Sequence, residues 1–214
     1  AGEFVKSGTI STYNAVSVMS TVVVPTENTI TLSNDGIVFE GTGAELSADL
    51  KTITIAQPGT YIVTGEMEEG QIVVDVDKTA YVDGLVELSL EGMSISNTST
   101  SPIYIASVDD KCSISAKKGT VNTVSDGTSY TNADGGIGAV YAKDDITFKG
   151  KGTLNVYGNC EDAIVCKNDI HINNGTLNVT AADDGIRGKD SVRIGDPLDT
   201  DFSSLNITVN AKGE

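Results

Sequence analysis

Two short phrases of this 214-residue chain carry paired acids at a fixed interval. "NCEDAIVCKND" runs from Asn159 to Asp169 and "AADDGIRGKD" from Ala181 to Asp190, so Asp184 follows Asp162, and Asp183 follows Glu161, by 22 residues. If that interval returns the chain to the same place one strand over, the pairs lie about 4.8 Å apart. Like charges at that distance repel by about 3 to 4 kcal/mol at an effective dielectric near 20, and by about 1 kcal/mol in water. Two explanations fit. Asp before Gly makes a good turn and solvent screens the charge, or a divalent cation held between the strands turns repulsion into attraction. Oxygen donors without clustered His or Cys select calcium over zinc or copper. The candidate ligands are Glu161, Asp162, Asp183 and Asp184, with Asp134 reaching the same edge one repeat earlier and Glu214 repeating the position one repeat later. A second acidic file runs through Asp109 and Asp110, Asp144 and Asp145, Asn168 and Asp169, then Asp190. Asp144 and Asp145 are candidate ligands there, and polar turn residues are the alternative. No linear EF-hand loop is present, so any site is assembled from separate repeats.

Beside the acids lies a basic and aromatic file. Tyr141 and Lys143, Val165 and Lys167, Arg187 and Lys189 occupy equivalent positions of successive repeats, and Tyr104 continues the tyrosine file. Placed outward, rings of this kind cover apolar sugar faces and cationic heads pair with uronate carboxylates. The alternative is a surface ladder in which each lysine neutralises a neighbouring Asp. His171, the only histidine, stands between Ile170 and Ile172 with no evident nucleophile and is read as ordinary surface.

With 30 acidic and 14 basic residues the net charge is −16, which argues against nucleic acid and anionic membrane surfaces as partners. No apolar run reaches the 18 residues a spanning helix needs, so no membrane insertion is expected. Ala1 is not an initiator Met, and nothing after it resembles a signal peptide, so any export signal is expected to have been removed. Cys112 and Cys166 fall at apolar positions and are read as small core residues, and Cys160 falls in a turn. A bridge between Cys160 and Cys166 would have to cross a turn and a strand start.

The elements that must position these residues are short strands. "NTITL", "KTITIA", "TYIVTG", "QIVVDV" and "LVELSL" are rich in Val, Ile and Thr and are separated by Gly, Asn and Asp; only "AELSADLK" offers a helical turn. From Ser101 onward the chain repeats itself, with "GTVNTV", "GTLNVY", "GTLNVT" and "SSLNITV" as one phrase and "YAKDDITFKG", "CKNDIHINN" and "GKDSVRIGD" as another. A period of about 22 to 24 residues of strand, without a leucine framework or helical part, predicts an all-β, single-stranded parallel β-helix with one coil per repeat. Expected inward ladders are Ile146, Ile170 and Val192, then Phe148, Ile172 and Ile194, then Leu154, Leu177 and Leu205, with Asn155, Asn178 and Asn206 aligned outward. Residues 125–138 and 195–203 break the period and are expected to be loops. Residues 1–26 are read as an N-terminal arm or linker and 27–214 as the solenoid.

The phrases "PIYIASVDDKCSISAKKGTVNTVSDGT", "AVYAKDDITFKGKGTLNVYGN" and "AADDGIRGKDSVRI" resemble the bacterial cellulose- and acid-sugar-binding β-helix domains, which are similar in shape to polysaccharide lyases of the pectate lyase type. The likeness runs from about Thr29 to the end. It implies a right-handed coil, bound calcium, attachment to plant cell-wall polysaccharide such as cellulose and polygalacturonate, and an extracellular or cell-surface location. It favours binding without cleavage, with no catalytic residue. On that expectation Tyr104, Tyr141, Lys143, Lys167, Arg187 and Lys189 are the candidate carbohydrate-binding residues. A calcium-dependent lyase, with Arg187 or a lysine as base, and a structural surface adhesin are the alternatives.

Overall fold

The computed structural model describes residues 27–131, 136–196 and 204–213. The expected arm, Asp134 and Glu214 lie outside them. Within the described residues the chain is strand and turn, without helix. Seven strands lead in: β1 (Asn28–Leu32), β2 (Val38–Glu40), β3 (Ala44–Leu46), β4 (Thr52–Ile55), β5 (Gly59–Met67), β6 (Gln71–Asp75) and the long β7 (Leu85–Asn97). "AELSADLK" is no helical turn but β3 and the turn after it, which pairs β3 antiparallel to β4.

Four windings follow, each contributing one strand to each of three faces. The first face stacks β6, β8 (Ile103–Ser107), β11 (Val140–Ala142), β14 (Ile164–Cys166) and β17 (Ile186–Gly188). The second stacks the first half of β7, β9 (Lys111–Ala116), β12 (Ile146–Gly150), β15 (Asp169–Ile172) and β18 (Ser191–Ile194). The third stacks the second half of β7, β10 (Val121–Asp126), β13 (Thr153–Gly158), β16 (Gly175–Ala181) and β19 (Leu205–Ala211). Every pair in these three stacks is parallel, and the chain visits the faces in the same order each time. The result is a curled parallel sheet enclosing one core.

Alternation of side chains explains why these residues choose this arrangement. In β16 each of Leu177, Val179 and Ala181 is buried, while Thr176, Asn178 and Thr180 between them are half-buried. Inward rows repeat apolar side chains one coil apart: Ile146 pairs with Ile170 and Phe148 with Ile172, all four buried, whereas Val192 and Ile194, expected to continue the rows inward, keep the register but are 42 % and 60 % exposed because β18 is the end strand of its stack. Burying an Ile side chain contributes about 1.5 to 3 kcal/mol, so each ladder rung matters against a net stability of only about 5 to 15 kcal/mol. Corners need backbone that side chains resist. Gly150 adopts a φ of 103°, and a Cβ there would stand 2.1 Å from the Ala116 carbonyl oxygen of the coil before.

The third expected ladder is corrected in its register. Leu177 pairs with Ile207, and Leu205 pairs with Gly175, so Asn178 faces Thr208 instead of Asn206. The slip is two residues. Two residues keep the same face of the strand, so apolar alternation fits either register equally.

Candidate functional site

The first face carries the basic file. Tyr141 pairs with Tyr104 on one side and Val165 on the other, and Val165 pairs with Arg187, so all four stand on equivalent outward positions. Just beyond each strand a lysine backbone N–H donates to a carbonyl one coil back: Lys143 to Ile105, Lys167 to Ala142 and Lys189 to Cys166, at 2.8 to 3.0 Å. The lysines therefore stack in register. Two of the heads lean toward the preceding coil, with Lys143 Nζ 5.5 Å from the Tyr104 ring centre and Lys167 Nζ 5.7 Å from that of Tyr141. The two rings stand 5.9 Å apart and tilted by 43°. Cation and ring attract through the ring quadrupole, and the Tyr104 side chain holds the Lys143 ammonium above the ordinary lysine pKa.

Tyr104 is half-buried, and Tyr141 is not an open platform. Tyr141 is only 6 % exposed and Val165 is 2 % exposed. The chain at Gly136 and Gly138 lies over them: a Cβ on Gly136 would stand 2.1 Å from the Tyr141 ring, and one on Gly138 would stand 3.1 Å from Val165. Tyr141, expected to offer its face to a ligand, is thus a buried support for Lys167. Lys143, Lys167 and Lys189 remain exposed.

A buried hub fixes the covering segment. The Tyr130 hydroxyl donates 2.9 Å to Asp126 Oδ2 and accepts from the Gly138 N–H at 3.2 Å, while the Asn159 backbone N–H donates to Asp126 Oδ1. Desolvation raises the Asp126 pKa above the usual carboxylate value. The hub leaves only a faint trace in the sequence, an Asp and a Tyr at opposite ends of "DGTSY".

The paired acids meet at the neighbouring corner. Asp162, Asp183 and Asp184 bring carboxylate oxygens within 4.8 Å of one another; Asp162 is buried, Asp184 half-buried and Asp183 exposed. The Asp184 backbone N–H donates 3.0 Å to Asp162 Oδ1, and Arg187 Nη2 forms an ion pair with Asp162 Oδ2. Arg187 Nε lies 3.9 Å from Asp184 Oδ2. Arg187, assigned from sequence to a sugar, is engaged by the acids. Glu161 contributes its carbonyl to the Asp183 N–H at 2.9 Å, and its carboxylate is outside the group. Asp144 and Asp145 lie elsewhere. Asp144 accepts from Lys78 Nζ at 2.6 Å and from the Val108 N–H at 3.0 Å, and Asp145 accepts from the Asp169 N–H at 3.3 Å.

Oxygens within 4.8 Å of one another can share one calcium ion, whose ligands sit about 2.3 to 2.6 Å from it. The donor chemistry of Asp162, Asp183 and Asp184 fits calcium, and the guanidinium of Arg187 is the group with which the ion would compete for Asp162.

Other expected residues settle simply. His171 lies in register between Thr147 and Arg193, and its Nε2 is buried without a hydrogen bond among the described residues. The three cysteines are unpaired, with Cys112 and Cys166 buried. Burial pushes their thiols up to about 12 and about 11.

Fold and site together define an all-β protein of stacked coils that presents a lysine ladder beside a carboxylate corner. The chain belongs to the family of carbohydrate-binding domain-containing proteins, whose pattern it matches over residues 49–213. A carbohydrate-binding domain-containing protein of Acetivibrio thermocellus is 35 % identical over 140 residues, which are 64 % of this chain and 47 % of that protein. The chain thus spans about half the length of that relative. A solved structure of a polysaccharide lyase-like protein from C. thermocellum, a gadolinium derivative, superposes with a TM-score of 0.70 at 28 % identity, over 86 % of this chain and 79 % of the other. Among the described residues no helix is long and apolar enough to cross a membrane.

Proposed function

We propose that the chain is a noncatalytic, calcium-containing polysaccharide-binding domain for acidic, pectin-like polymers and for cellulose. In this proposal residues 27–214 form a right-handed parallel β-helix, the hand that parallel crossovers favour, with residues 1–26 as an arm. It works outside the cell or at the cell surface. The observation that carries the function is the ladder of Lys143, Lys167 and Lys189, which repeats an ammonium group once per coil on a protein of net charge −16. Such a row answers a polymer that repeats a carboxylate. Calcium at Asp162, Asp183 and Asp184 would offset the charge of the acids at the corner leading into β14 and β17 and join two coils.

Lyase chemistry is the weaker alternative. A base that removes a proton at neutral pH needs a lowered pKa, whereas Lys143 is shifted upward and Arg187 is held by Asp162. The test is replacement of Lys143, Lys167 and Lys189 together by Ala. Affinity for polygalacturonate should fall at least tenfold and affinity for cellulose less than twofold; equal losses on both would reduce the ladder to a structural feature.

A further inference from the structure

The third face differs from the rest of the molecule in one respect that its strands make visible. In a chain with 30 acidic and 14 basic residues, no charged side chain points outward from residues 94–97 or from β10, β13, β16 and β19. The one acid in those strands, Asp126, is buried. Its central column reads Ser94, Thr123, Asn155, Asn178 and Thr208, each paired with the next in parallel register. Glu66 on β5, paired with Ser94, is the first charge above it. The columns on either side are likewise hydroxyls and amides, interrupted by Tyr157 at 39 % and Val121 at 62 % exposure. Asn178 Nδ2 donates 3.0 Å to Asn155 Oδ1, so the amides are held as a ladder and not left to rotate. Rows recur about every 4.8 Å along the stack and columns about every 7 Å along the strands.

We infer that this face is a second binding surface, for the flat face of an ordered, neutral polysaccharide. The inference rests on the proposed binding function and divides it between two faces. Charge selects the partner. A neutral polymer brings no charge to offset desolvation of ionic groups, so a sheet bearing none lets it approach at little cost. Hydroxyls and amides offer both donors and acceptors to sugar hydroxyls, and the exposed Tyr157 ring gives an apolar sugar face something to stack on. That ring also separates a sugar from ice, the other ordered, uncharged surface of hydroxyl character.

The experiment compares binding to cellulose and to polygalacturonate, each at low and high salt. The variants are Tyr157→Ala, Thr176→Glu with Thr180→Glu, and Thr180→Lys, each checked for an unchanged melting temperature. Thr180 lies in register with Tyr157, and a charge of either sign there serves the same purpose, so one variant that fails to fold leaves the other. Cellulose affinity should fall at least tenfold in the charged variants and several-fold in Tyr157→Ala. Wild-type binding to cellulose should hardly respond to salt, and polygalacturonate binding should change less than twofold in every variant. Normal cellulose binding by folded variants would overturn this assignment while leaving the function intact, and so would ice shaping by the wild type that those variants abolish. A wild type that holds neither polymer would contradict the function itself.

Discussion

Asp162 shows how one residue can serve two partners. It is buried with a neutralising Arg187 and a backbone N–H, and it lies within reach of two further acids. If calcium joins Asp162, Asp183 and Asp184, it binds the folded state alone. At a hundredfold excess over its dissociation constant one site then contributes about 2.7 kcal/mol. Changing Asp183 and Asp184 together to Asn keeps their shape and much of their turn propensity. The double variant should melt lower than the parent in calcium and respond less to a chelator, and calcium should restore the parent better than magnesium does. A parent whose melting ignores the chelator would show that the acids are turn residues only. The cysteines give a second residue-scale test. Thiolate is the reactive form, and burial with raised pKa values protects Cys112 and Cys166. A thiol reagent at pH 8 should modify only Cys160 in the native protein and all three cysteines in denaturant; fast labelling of two or more would contradict the core placement. The acid pairs were legible in the sequence because their spacing equals one coil. Arg187 as the partner of Asp162 was not, because it sits one coil and three residues away, and its strand register alone suggested an outward stripe.

At the scale of the strands, the same spacing accounts for the coils from β11 to β18, since apolar alternation and the Gly and Asp corners recur together. It could not fix β19, where residues 195–203 intervene and Leu205 and Ile207 are two residues apart on one face. The covering of Tyr141 was equally hidden. A strand pattern says which side chains point outward and nothing of what later folds over them. Corners should be more sensitive than strands to small changes. Gly150→Ala places a Cβ against the Ala116 carbonyl at a left-handed φ, which should cost about 2 kcal/mol or more. In a chain of this length that is a fall of at least about 4 °C in melting temperature. An unchanged melting temperature would mean that the corner can relax, and the stacked register with it.

Across the whole molecule the stack separates side-chain chemistries by face. Each coil touches chiefly its neighbours, so side chains of one kind line up into rows without any long-range design. The first face gathers lysines, the corner that leads into β14 and β17 gathers acids, and the third face stays uncharged. In our proposal this scaffold holds polysaccharide and does not cut it. The decisive measurement is to incubate the protein with polygalacturonate and calcium while following both retention on the polymer and the ultraviolet absorbance of unsaturated uronate ends. Retention with absorbance no higher than a boiled control is the predicted result; absorbance that grows with time and with protein concentration would make the protein a lyase.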